Sequence, residues 1–146
     1  VDFKDVLNES KARKEAQIYL QKKLDNGIKD LKAKEKSIQE EEKKIIQQKK
    51  VISAEEYKKQ VKALREKVSS LQTQRNNLLD TVAKQRSKAR AELLKTLNPI
   101  IKNYMKENTV RLVLEKKRIL LADENLNITE EITGLLNKKL KSIKLN

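Results

Sequence analysis

The chain has 146 residues, of which 38% are charged and only 3% aromatic, with a mean hydropathy of -0.79 and neither Cys nor His. That composition excludes a large globular core, disulfides, thiolate metal sites and nucleophilic catalysis through histidine or cysteine. The formal net charge is +14, and 28 of the 35 cations are Lys, so the surface attracts anions without the planar forks that single out phosphates or base edges.

No run of about 18 apolar residues is present, so nothing in the sequence spans a membrane. Val1-Asp2-Phe3 reads as a short strand entered partway, with no Met before it. A cleaved signal peptide is the expected upstream segment.

From about Ser10 the pattern becomes helical. Leu24, Leu31, Ile38, Ile45 and Ile52 recur every seven residues, the period at which helices supercoil. The companion seam through Ile28, Glu35, Glu42 and Lys49 is mostly polar, so the apolar stripe is narrow. A second helix repeats the period, with Val61, Val68, Arg75 and Val82 on one step of seven and Leu64, Leu71 and Leu78 on the other.

Between the two helices lies Ser53-Ala54-Glu55-Glu56, a capping box in which Ser53 accepts from the backbone N–H three residues on and Glu56 reaches back to the Ser53 N–H. Ile52 and Tyr57 stand where a hydrophobic staple would seal the turn. A reversal at about 52–54 makes facing residues add to about 106, so that Ile45 meets Val61, Ile38 meets Val68 and Leu24 meets Val82.

The result is a long antiparallel coiled-coil hairpin arm over 10–104, in which the stretch from Ala16 to Ile52 alone spans about 55 Å at about 1.5 Å per residue. Gly27 interrupts its first helix at a cost of about 1 kcal/mol relative to Ala. It is a candidate hinge, weighed against a tolerated surface glycine. Glu40-Glu41-Glu42 followed by Lys43-Lys44 reads as pairing on a wet helix face rather than a calcium site.

Beyond Leu97, Asn98-Pro99 can kink or restart the helix, which runs on to about Asn108. Val110 to Leu114 and Ile119 to Ala122 are short apolar runs divided by Glu115-Lys116-Lys117-Arg118, and read as two strands joined by a turn. Thr129 can cap a last helix at about 130–141, with Glu130 and Glu131 in its first turn and Ile132, Leu135, Leu136 and Leu140 as its stripe.

The fold class is therefore mainly α with a small β part. The body comprises 1–9 and 105–146, with strands at about 1–3, 110–114 and 118–122. About 50 residues are too few for a dependable core, so the base is expected to oligomerise through its strand edges. Val1, Phe3, Val110, Leu112, Leu114, Ile119 and Leu121 are the candidate contacts.

Val1-Asp2-Phe3, Val6-Leu7-Asn8-Glu9-Ser10, Val113-Leu114-Glu115, Ile119-Leu120-Leu121-Ala122-Asp123 and Asn127-Ile128-Thr129, in that order and spacing, resemble the Skp/OmpH family of periplasmic chaperones. The resemblance covers the whole chain. It implies a homotrimer whose bases close into a small β-barrel body and whose arms surround a cavity holding unfolded outer-membrane proteins. No ATP, cofactor or catalysis is implied, and the location implied is the periplasm.

Lys-rich arms suit that role, because many weak, salt-sensitive contacts hold an anionic apolar client without a fixed motif. Lys49, Lys50, Lys58, Lys59, Arg86, Lys88 and Arg90 are candidates for contact with clients. Arg86, Lys88 and Arg90 are also candidates for transient contact with anionic lipid or lipopolysaccharide, against the plainer reading of a solvated helix face.

Two alternatives stand beside this reading. One is a prefoldin-like cytosolic coiled-coil chaperone, separated by the absence of an export signal. The other is a basic nucleic-acid-associated coiled coil, disfavoured by scarce Arg and the lack of an aromatic stacking platform, so that no specific nucleic acid is expected.

Overall fold

The computed structural model describes residues 1–145; Asn146, the last residue assigned to the body, lies outside them. Four α-helices follow in chain order: α1 (Phe3–Glu9), α2 (Lys11–Gln48), α3 (Ala54–Glu107) and α4 (Thr129–Lys139), with single 3₁₀ turns at Lys116–Arg118 and Glu124–Leu126. The residues divide into two compact units, 1–20 with 84–146, and 21–83.

In the unit of 21–83, the heptad residues Leu31, Ile45 and Val82 are buried, and Leu24, Ile38, Val61, Leu64, Leu71 and Leu78 are half-buried. Val68 is half exposed, whereas Val61 and Val82 of the same series turn inward together with Leu64, Leu71 and Leu78.

Polar bonds across the pair fix an antiparallel register. Lys34 Nζ donates to Gln74 Oε1 at 2.6 Å, Lys67 Nζ donates to both carboxylate oxygens of Glu41 at 2.7 Å, and Arg75 lies 3.7 Å from Glu35. The two lysine pairs add to 108 and the close packing of Gly27 on Leu78 adds to 105, values that bracket the expected sum of about 106.

Gly27 has ordinary helical backbone with no positive φ. A Cβ at this position would lie 2.5 Å from Leu78 Cδ2, so Leu78 occupies the space its missing side chain leaves.

In the other unit, Val1, Val6, Leu7, Ala12, Leu93, Leu97, Ile100, Ile101, Ile132 and Leu136 form one core, with Phe3, Tyr104, Ile128 and Leu140 packed against it. Phe3, Val6 and Leu7 stand at helical spacing behind Asp2, whose carboxylate accepts from the Asp5 N–H at 3.0 Å. That cap starts α1 where a strand was expected.

Ser10 is fully buried between α1 and α2; its hydroxyl donates to the Leu7 carbonyl at 2.9 Å and accepts from the Arg13 N–H. Asn137 of α4 accepts from the Lys11 N–H at 2.8 Å and so satisfies another free donor at the start of α2.

α3 continues through Pro99. The missing N–H leaves the Lys95 carbonyl without a helical donor, and the exposure of Lys95 and Pro99 lets water serve instead. The helix ends in a Schellman arrangement: the Val110 N–H donates back to Met105 at 2.9 Å across Thr109, which adopts φ 55°.

The three expected strands do not form among the described residues. Only residues 1 and 2 precede α1. There, Val1 N donates to the Leu114 carbonyl at 3.1 Å and the Lys116 N–H donates to the Val1 carbonyl at 2.9 Å, the bond pair of a single parallel bridge between Val1 and Glu115. Residues 110–114 have no further ladder partner, and 118–122 follow a 3₁₀ turn. Apolar alternation favours strands only where another backbone completes the hydrogen bonds, and among the described residues Val1 alone supplies them.

The last helix starts without the expected cap. The Thr129 hydroxyl accepts from the Asp2 N–H at 2.9 Å and donates to Asn127 at 2.6 Å, tying the chain start to α4 instead of capping it.

Candidate functional site

In the 21–83 unit the turn is built as half a capping box. Ser53 Oγ accepts from the Glu56 N–H at 3.2 Å, while the Glu56 carboxylate takes its bond from Gln60 at 3.3 Å rather than returning to Ser53. Ile52 and Tyr57 are both half-buried, and Lys49 Nζ sits 5.6 Å from the centre of the Tyr57 ring. Around them Lys49, Lys50, Lys58 and Lys59 are exposed, and Val51 is 84% exposed at the turn itself.

The rest of this unit presents large apolar side chains singly. Ile28, Ile46, Val68 and Leu79 are exposed at separate helix positions, each with Lys or Arg within four residues in sequence. Such a surface offers shallow apolar contact and positive charge together. Among the described residues no group of His, Cys, Asp or Glu could hold a metal ion, and no helix is long and apolar enough to cross a membrane.

In the terminal unit the candidate body residues separate into two sets. Val1 is buried and Phe3 packs on the core, while Val110 and Ile119 are half-buried. Leu112 and Leu114 are exposed, and Leu121 is 88% exposed beside Leu120 at 96%. Leu120 and Leu126, neither of them among the candidate contacts, are exposed as well.

Arg86 and Arg90 face a groove of about 830 Å³ in this unit. Lys88, two residues away, is exposed outside it, because positions two apart point to different sides of a helix. Arg13 of α2 lines the same groove and was missed in the sequence. The signal available was the i, i+4 spacing of two arginines in a chain where lysine dominates.

The Asp2 carboxyl is held below the usual carboxylate range, chiefly by the Asp5 N–H it accepts, with Lys117 and Lys116 adding attraction.

The model of the OmpH family, described as outer membrane protein (OmpH-like), matches residues 1–136. Among solved structures, an OmpH-like protein from Caulobacter crescentus CB15, described as a proposed outer membrane chaperone, superposes with a TM-score of 0.90 at 17% identity, covering 98% of this chain and 85% of that one. No curated protein matches in sequence. With the family match running over nearly the whole chain, the protein belongs to the OmpH-like outer membrane protein family.

Proposed function

We propose that this protein is an ATP-independent holdase that binds unfolded outer-membrane β-barrel proteins in the periplasm and keeps them from aggregating. The observation that carries the reading is the surface of the 21–83 unit, where Ile28, Ile46, Val51, Val68 and Leu79 are exposed one at a time among lysines. A client with apolar strand faces and net negative charge meets many weak contacts there, each readily exchanged. The lysines flanking the turn, Lys49, Lys50, Lys58 and Lys59, would raise the encounter rate. Family membership and the shared fold with a proposed outer membrane chaperone support the same reading.

The active assembly in this proposal is a homotrimer that holds its client in a cavity between the hairpins. Its support is the exposed leucine set at 112, 114, 120, 121 and 126, on segments whose backbone groups have few partners within one chain. Copies of the chain would cover those side chains and complete the missing ladders, which explains why the β part is absent from a single chain.

The test is dilution of a urea-unfolded outer-membrane barrel protein into buffer without nucleotide, with and without an equimolar trimer, followed by light scattering. Scattering should be suppressed, and suppression should weaken as ionic strength rises. Unchanged aggregation would overturn the chaperone reading, and a native mass equal to one chain at micromolar concentration would overturn the caged assembly.

A further inference from the structure

The groove of the terminal unit is built from helix faces. α1 contributes Phe3 and Leu7, α2 contributes Ala16 and Leu20, and α3 contributes Ala89 and Leu93; all but Phe3 are buried, so the floor is apolar and rigid.

Its rim is selective in charge type. Arginine supplies only seven cations in the whole chain, yet Arg13, Arg86 and Arg90 line this one groove, and Lys4 joins them. None of these four has an ion pair among the described residues. Guanidinium groups match carboxylates in a planar, bidentate way that lysine does not.

Asn8, Gln17 and Ser87 also line the groove, neutral groups that donate and accept hydrogen bonds, and Glu115 adds one negative charge. An acyl chain leaves the amides and the hydroxyl without partners. A polypeptide backbone uses both, since its N–H and C=O groups pair with Asn8, Gln17 and Ser87 and one N–H or cation can face Glu115.

From this arrangement we infer that the groove binds a short extended peptide segment in which apolar side chains alternate with carboxylates. The apolar side chains enter over Leu20 and Leu93, and the carboxylates pair with Arg13, Arg86 and Arg90. The inference rests on the chaperone reading only in taking the segment to be part of a client. It adds to diffuse contact a defined site that recognises composition.

The test uses the full chain and a fluorescein-labelled eight-residue peptide alternating Leu and Glu, with a Leu and Lys peptide as control, measured by fluorescence anisotropy. The Leu and Glu peptide should bind, the control should not, and the double variant Arg86→Gln with Arg90→Gln should lose about tenfold or more in affinity. Both side chains are exposed, so the variant keeps its core, which circular dichroism verifies.

Equal affinity in wild type and variant, or equal binding of the two peptides, would overturn the inference. So would arginine-dependent binding of phosphatidylglycerol vesicles without peptide binding, which assigns the groove to lipid. Loss of native oligomer mass in the variant would overturn it by assigning the groove to a second copy. Light scattering of an aggregating barrel protein, run on both forms, tests the chaperone reading separately: failure there by the wild type sinks that reading, whereas the peptide titration alone decides the groove.

Discussion

Replacing Gly27 by Ala sets two effects of known size against each other. In an exposed helix interior the change gains about 1 kcal/mol of helix propensity. Here the new Cβ would stand 2.5 Å from Leu78 Cδ2, 2.8 Å from Cδ1 and 3.2 Å from Cγ. The methyl groups alone could rotate away, but Cγ is also close, so Leu78 must shift as a whole or the helices must separate.

Overpacking of this kind costs about 1–3 kcal/mol, which offsets the propensity gain and leaves the variant neutral to about 2 kcal/mol less stable. Removing the obstacle should reverse the sign. In a Leu78→Ala background the three atoms nearest the new Cβ are gone, and Gly27→Ala should stabilise by about 1 kcal/mol. The coupling between the two sites is therefore about 1–3 kcal/mol.

The assay is urea unfolding followed by circular dichroism at 222 nm, on the four proteins of the cycle at one fixed protomer concentration, since assembly makes apparent stability concentration-dependent. If Gly27→Ala stabilises equally in both backgrounds, Leu78 does not need the space, and the candidate hinge role expected from the sequence becomes the better account of the glycine. The cycle thus separates space from flexibility, which a single substitution leaves confounded.

Three further outcomes follow from the terminal unit. Thr109→Gly should raise stability by about 1 kcal/mol in urea unfolding, because Thr at φ 55° bears the left-handed penalty that glycine avoids; lower stability would refute the strain. Asn137→Ala should cost about 1 kcal/mol by leaving the Lys11 N–H without its acceptor, and no change in the urea midpoint would show that water replaces it freely.

Asp2→Ala should lower the melting temperature near neutral pH. Because the folded carboxyl is depressed, the unfolded chain binds more protons in the window just below its own pKa of about 4, and the capping stability is present above that value. It is lost as pH falls through the folded pKa, so wild type and variant should converge in acid. A gap independent of pH would mean that the carboxylate charge plays no part.

The long helices were legible because their information is local and repeated. Leu24 to Ile52 and Val61 to Val82 state a period of seven over many turns, and Ser53 marks a helix start within three residues of itself. Even there the burial of individual seam residues was not legible. Val68 is half exposed while Val82 of the same series is buried, and spacing alone does not distinguish the two.

The terminal unit was legible in composition and not in form. α1 had a readable signal in Asp2 ahead of Phe3, Val6 and Leu7, but the apolar start of the chain suggested extension instead. Strands expected at 110–114 and 118–122 depend on backbone partners elsewhere, and no property of those residues reveals whether one chain supplies them. The same holds for Thr129, whose hydroxyl serves Asp2 across 127 positions.

The sequence by itself determined the helical period, the place of the reversal, the strong positive charge and the family, since each is carried by neighbouring residues or by their order. Only the tertiary structure decided that Leu78 fills the gap at Gly27, that Val1 bridges to Glu115, and that Arg13 joins Arg86 and Arg90 over an apolar floor. These are encounters between distant parts of the chain. Their energies depend on fit in space, and spacing along the sequence does not encode that fit.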